Sequence, residues 1–294
     1  MENSSPDLLL IGHVTQDLLD PTPESDYRLG GTVSFAAITA LRLERKPTIL
    51  TRAAPHTRWD ELPDDVDLTV LPSPETTTFA NVYSDEGRTQ YCFAQALPIQ
   101  AADVPRQMQT PNIVLLGPLV NEIHPDVASL FGAQTLTAAV PQGWMRRWDE
   151  TGRVYSIPWE TEAAILPYLD ILVLSEEDVD SDLSRLESAF KTVPIVVLTE
   201  YRDGSTIYRR TESGEIQRIK IPPRPALEVD PTGAGDVFAT AFIIRYQETG
   251  DPIHSARFAN VTASFGVEAI GISGIPSRQQ VLDYLNKHPF RERN

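Results

Sequence analysis

Cysteine occurs once in this 294-residue chain, at Cys92, and lysine four times, at Lys46, Lys191, Lys220 and Lys287. A lone thiol forms no intrachain disulfide and cannot build a cysteine-based zinc site, so a reducing, cytoplasmic setting is expected. No run approaches the roughly 18 consecutive apolar residues of a membrane span, and the N-terminal residues lack the basic and apolar segments of a signal peptide. Positive charge is also scarce. With 41 acidic against 25 basic side chains the formal charge is −16, which opposes binding to nucleic acid or to anionic lipid; neither partner is expected. Since most of the basic residues are arginines, a cationic site would be built from guanidinium forks, which suit phosphate.

Short apolar runs recur at residues 8–12, 48–51, 112–117, 135–140, 170–175 and 194–199. They are nearly continuous rather than alternating, and most are separated by helical lengths of chain. That pattern predicts strands buried on both faces of a mainly parallel sheet, with helices on each side. Residues 76–95 differ: two β-rich arms flank Asp85-Glu86-Gly87-Arg88, the pattern of an antiparallel hairpin that belongs outside the sheet as a flap, joined by residues 14–31. A further hairpin is predicted over 205–221. Asp251-Pro252 and Ser277-x-x-Gln280 read as helix starts, and Gly250 as a helix end. The 24 prolines are scattered, which suits many short loops. The five histidines show no metal-ligand spacing, and only His13 falls near the predicted pocket.

The segment that carries chemistry is Val229-Asp-Pro-Thr-Gly-Ala-Gly-Asp-Val-Phe238. Its glycines open a helix whose apolar residues follow helical spacing. The free amides of Gly233, Ala234, Gly235 and Asp236 would converge there on an anion, assisted by the positive end of the helix dipole. Asp236 is out of place in a phosphate cradle unless it removes a proton, as a general base would; an acid in a helix first turn is the plain alternative. A dinucleotide fingerprint would need glycine where Phe238 stands, and a Walker A loop would need Gly-Lys-Ser/Thr.

Residues 230–238 match Asp-x-Thr-Gly-Ala-Gly-Asp-x-Phe, and here the chain resembles the ribokinase-like (pfkB) carbohydrate kinases. The likeness continues through Arg257-Phe-Ala-Asn260 and Gly266-Val267 to Gly271, and at the other end through residues 10–17 and Leu29-Gly30-Gly31-Thr32-Val33-Ser34. It implies one ribokinase-like three-layer α/β/α domain over residues 1–294, with a mainly parallel central sheet and a small β lid from about 14–31 and 76–97. Asp236 would be the base and Gly233, Ala234 and Gly235 the anion hole. Asp17, Gly30, Gly31 and Ser34 would hold the acceptor. Asp230, Thr232, Thr199 and Asn260 would serve the nucleotide side.

The family's Asn-x-x-Glu element, which organises Mg2+ through water, becomes Ser175-Glu176-Glu177-Asp178, so Glu177 and Asp178 are the metal-side residues. Gln142-Gly-x-x-Arg146 resembles the subgroup that includes inositol kinases, with Gln142 toward the acceptor and Arg146 on phosphate. Phe35 stands where ribokinase-type members carry an asparagine that bonds the sugar, which tells against ribose. The expectation is an ATP- and Mg2+-dependent kinase acting on a small sugar, polyol or cyclitol, with a monovalent cation as an optional activator. It would be a monomer, or a homodimer through the lid. The alternative is a non-catalytic sensor of sugar or nucleotide on the same fold.

Overall fold

The computed structural model describes residues 5–22, 25–84, 87–211 and 213–289. The expected apolar runs become strands with limits shifted by a residue or two. In chain order the elements are β1 (Leu8–Ile11), β2 (Thr15–Leu18), β3 (Tyr27–Gly30), α1 (Thr32–Arg42), β4 (Pro47–Ala53), β5 (Asp67–Pro72), β6 (Thr78–Ser84) and β7 (Gly87–Ala94). There follow β8 (Ile113–Leu116), β9 (Leu136–Ala139), β10 (Arg146–Trp148), β11 (Val154–Ser156), α2 (Glu162–Ile165), β12 (Ile171–Ser175), α3 (Glu187–Thr192) and β13 (Ile195–Thr199). The chain closes with β14 (Ser205–Arg210), β15 (Ile216–Ile221), α4 (Ala234–Thr249), α5 (Pro252–Gly266) and α6 (Arg278–Lys287).

The main sheet runs β15-β14-β13-β12-β9-β8-β1-β4-β5, parallel from β13 through β5, with β14 and β15 added antiparallel at one edge. Period-two alternation divides its residues between two cores. Leu8 and Leu10 face the layer of α1, α4 and α5, whereas Leu9 and Ile11 face the opposite layer. The parallel strands end together at Ile11, Leu116, Ala139, Ser175 and Thr199, and ligands of open α/β sheets bind beyond that carboxyl edge.

Helix boundaries follow local chemistry. Asp251 accepts from the amides of Ile253 and His254 at 2.8 and 3.0 Å ahead of α5. Ser277 and Gln280 form a reciprocal capping box ahead of α6, and Gly250 ends α4 in a left-handed conformation, φ 65°. The second layer is thinner than expected. Beyond α2 and α3 it consists of single 3-10 turns such as 125–130, 141–145 and 166–168, each with a proline in its first turn. Pro167 lacks the amide that would carry α2 on past Ile165. The edge strand β5 and the β10–β11 hairpin are further elements that the apolar runs did not signal.

A separate four-stranded sheet, β3-β2-β6-β7, forms over the segments expected to make a lid; Asp85 and Glu86 of the predicted turn lie outside the described residues. Each edge of this sheet is partly covered by the same chain. The Cys92 amide donates to the Gly152 carbonyl at 2.7 Å, and Tyr91 bridges Arg153, while the Leu29 amide donates to Glu61 at 3.3 Å. Burial pushes the Cys92 thiol up to about 12, so it is no nucleophile. Among the described residues no helix is long and apolar enough to cross a membrane.

Gly143 shows how tightly the turns beyond the strand ends are fitted. A Cβ there would collide with the backbone of Pro118 and Leu119, whereas a Cβ at Gly132 would enter open space. Gly143→Ala is therefore expected to lower unfolding stability by about 1–3 kcal/mol, and Gly132→Ala to change it by less than about 0.5 kcal/mol. Equal urea midpoints for the two variants would contradict this packing.

Candidate active site

Two helix N-termini meet above the carboxyl edge of the sheet. α4 begins after Gly233, held at φ 74°, where a Cβ would collide with the ring of Phe35 from α1. The same loop is tied down by Asp230, which accepts from the Thr232 amide at 3.0 Å and the Gly271 amide at 2.8 Å. Burial raises the Asp230 carboxyl, but these bonds outweigh it and hold the group below its usual range. Asp230 and Thr232 are thus loop supports. The Ala234 amide closes a turn on Pro231. Among the described residues the amides of Gly233, Gly235 and Asp236 have no acceptor, and a Cβ at Gly235 would meet only open space. This is an open cradle of N–H groups at a helix start, the arrangement that binds anions.

Asp236 lies recessed at the floor of this cradle, yet not closed off from solvent. Burial raises its carboxyl from 3.8 to about 6, opposed by a hydrogen bond with Thr32 and by the charge of Arg146, and reinforced by the charges of Asp178 and Asp17. Four groups from distant parts of the chain are therefore close enough to act on Asp236. Thr32 was not expected here. It opens α1 directly after the diglycine, it is buried, and Gly117 makes room for its methyl group.

Asp17 stands on β2, where the Thr15 hydroxyl donates to it at 2.8 Å and Gly30 leaves space for its carboxylate. Gly31 takes φ 90° against the His13 carbonyl. Ser34 is buried with its hydroxyl given to the Gly30 carbonyl at 2.7 Å, so it shapes the diglycine turn. His13 is structural as well: its ring bonds the Leu97 carbonyl at 3.1 Å and the Thr77 hydroxyl at 2.7 Å, and burial lowers its pKa. Beneath it Glu122, another residue without a sequence signal, gathers the amides of His13, Leu119 and Val120 at 2.8–3.0 Å.

A cavity of about 240 Å³ lies between β7 of the small sheet, the β10–β11 hairpin and the end of β12. It brings together Gln142, Arg146, Glu177 and Asp178 of the expected set and adds Gln90, Arg153 and Tyr155. Asp178 accepts from the Ser175 amide and hydroxyl at 2.8 and 2.9 Å, so the altered Ser-x-x-Asp element is a closed local turn. Among the described residues no three carboxylate, thiol or imidazole side chains could cage a cation. Two carboxylates, Glu177 and Asp178, on a cavity wall fit Mg2+ that keeps its waters. Thr199 sits beside Ser175 at the end of β13. Asn260 departs from expectation: its amide nitrogen is committed to the Ile221 and Pro222 carbonyls at 3.2 Å, where it secures the exit of β15.

Residues 155–278, which include the cradle and Asp236, match the profile of the pfkB family carbohydrate kinases. That stretch is similar to the pfkB carbohydrate kinases. A nucleoside kinase of Methanocaldococcus jannaschii is 32% identical over 104 residues, 35% of this chain and 33% of that protein, so the alignment spans about a third of that relative. A nucleoside kinase of Methanothermobacter thermautotrophicus is 25% identical over 90% of each chain. An inositol 3-kinase of Oryza sativa is 27% identical over 75% of this chain and 58% of that one.

Solved structures of the pfkB and ribokinase type share the fold. A pyrophosphate-dependent ribokinase-family kinase, complexed with a pyrophosphate analogue and myo-inositol, superposes with a TM-score of 0.76 at 22% identity, covering 94% of this chain and 99% of that one. Arabidopsis thaliana ribokinase, complexed with ribose and ATP, gives 0.69 at 20% identity, covering 98% and 100%. The chain thus has the ribokinase fold.

The raised carboxyl has a consequence for stability. A group that binds its proton more tightly when folded stabilises the fold while protonated, and wild-type protein loses that contribution as pH rises from about 4 through about 6. Asp236→Asn stays neutral throughout. Its melting temperature relative to wild type is expected to climb between pH 4 and pH 8, and an offset that does not change with pH would contradict the burial of this charge.

Proposed function

We propose that this protein is an ATP- and Mg2+-dependent kinase that transfers the γ-phosphoryl group to a hydroxyl of a small sugar, polyol or cyclitol. The observation that carries the reading is a carboxyl raised to about 6 at the floor of a cradle of unpartnered amides. A base for a hydroxyl works best with a pKa near working pH, and phosphoryl transfer needs little beyond positioning and charge stabilisation.

In this mechanism the acceptor hydroxyl oxygen attacks the γ-phosphorus in line, its proton passes to Asp236, and the bond to the β–γ bridging oxygen breaks. The amides of Gly233, Gly235 and Asp236 take the developing charge, with Ala234 setting their turn, and Thr32 keeps the carboxylate oriented. Arg146 offsets negative charge from the cavity side. Asp17, held by Thr15, aligns the acceptor over Gly30 and Gly31, and Gln142 closes its far side. When bound, Mg2+ would supply positive charge against that of the donor phosphates, and Glu177 and Asp178 would hold it through its waters. The lid excludes water from the reacting groups.

The polyol class is supported by the cavity itself. At about 240 Å³, with Thr89, Gln90, Gln142 and Ser156 among its walls, it is smaller than most drug-sized pockets and lined by hydrogen-bonding side chains. The inositol kinase relative points the same way, and the nucleoside kinase relatives make nucleosides the competing acceptors.

Product release, followed over a panel of cyclitols, sugars and nucleosides with ATP or pyrophosphate as donor, tests the reading. Turnover with ATP and a cyclitol or sugar is expected. Binding without acceptor-dependent turnover would favour a sensor, and nucleoside-only turnover would replace the acceptor class. With the active acceptor, Asp236→Asn should cut kcat by about 10²-fold or more. The acidic limb of the kcat/KM profile should fall as pH drops through about 6, where the base becomes protonated. An acid limb near pH 4, or unchanged kcat, would remove Asp236 as the base. Asp17→Asn should raise the acceptor KM while leaving the donor KM within a few-fold.

A further inference from the structure

The lid sets one more charge beside the donor cradle. Asp17 and Arg28 oppose each other directly in the β2–β3 ladder, so both side chains leave the same face of the lid. On that face the Asp17 carboxylate lies against Gly30. From Gly30 the chain enters α1, where Thr32 bonds Asp236 and the Phe35 ring lies against Gly233. Arg28 thus precedes by four residues a side chain in contact with the proposed base.

β3 is fixed in that position from outside. The Arg58 guanidinium stacks 4.3 Å from the Tyr27 ring centroid, donates to the Tyr27 carbonyl at 3.1 Å and pairs with Asp26. Glu61 holds the Leu29 amide. Much of the chain's other arginine is spent on structure: Arg45 pairs with Asp7, Arg52 with Asp103, Arg224 with Glu268 and Arg278 with Glu248. Arg28 is exposed, and among the described residues it makes no hydrogen bond or ion pair. The nearby Asp230 carboxylate, already turned to the Thr232 and Gly271 amides, feels its charge.

A phosphoryl donor bound at the cradle would sit among Asp17, Asp178, Asp230 and Asp236, with Arg146 acting from the cavity side. A polyanion in that company needs a second cation, and guanidinium is the group that grips phosphate with directed bonds. We propose that Arg28 is that cation, contacting the donor's phosphate chain from the lid while Arg146 serves the opposite side. The identity of the ligand rests on the kinase reading above.

Inorganic pyrophosphate is the probe, titrated calorimetrically into wild-type protein, Arg28→Gln and Arg28→Lys. Tenfold or greater weakening is expected for Arg28→Gln, with partial recovery in Arg28→Lys and ligand-free melting temperatures equal to wild type. Equal affinity in all three proteins overturns the assignment, as does a wild-type chain that does not bind pyrophosphate. In turnover, Arg28→Gln should raise the donor KM and leave the acceptor KM in place; the reverse pattern also overturns it. If the wild type binds pyrophosphate but phosphorylates no acceptor, the kinase reading fails, and Arg28 is still judged by the titration.

Discussion

The site depends on one junction, where the N-termini of α1 and α4 abut at the carboxyl edge of the sheet. Phe35 occupies the space that any side chain at residue 233 would need, and Thr32 bonds the Asp236 carboxylate. That contact fixes which way the cradle opens and how the Asp236 carboxyl points. It also links the small sheet to the cradle, because β3 runs through Gly30 and Gly31 into the first turn of α1. A left-handed Gly233 is what brings the backbone amides to one side. Gly117 and Gly143 are small for a related reason: their neighbours, Thr32 and the 118–119 backbone, fill the space that a methyl group would take.

Charge accounts for much of the remainder. The chain carries a net −16, and it gathers carboxylates where a polyanionic donor would bind. Such a site works only with directed cations, unpaired backbone dipoles and a divalent ion that arrives with the donor. The same crowding keeps Asp236 protonated to higher pH than an ordinary aspartate. Burial contributes most to that shift and the neighbouring acids add to it. Stability is given up locally for reactivity, a trade common at catalytic centres.

Much of this was legible in the residues. The strands could be read because strands buried on both faces must be apolar throughout, and the caps at Asp251 and Ser277 because they are written within four residues. The cradle could be read because glycine pairs before an apolar helix have few other uses. Less visible were features made by contacts between distant segments. Thr32 carried no reading of its own in the sequence, and its bond to Asp236 spans some 200 positions. Glu122 carried no local signal, since its three amide partners are set by the fold. Asn260 fell within a matching motif, yet its amide serves the backbone at 221–222. The second layer is present as expected but its helices are short, in part because Pro167 ends α2.

Titration of the Asp236 carboxyl by carbon-13 NMR, with Asp236→Asn used to assign the resonance, tests the central claim most directly. A midpoint near 6 in the ligand-free protein, moving upward in Thr32→Val as the stabilising bond is lost, is the predicted result. A midpoint near the ordinary 3.8, or one indifferent to Thr32, would contradict the account of this junction and of the base it creates.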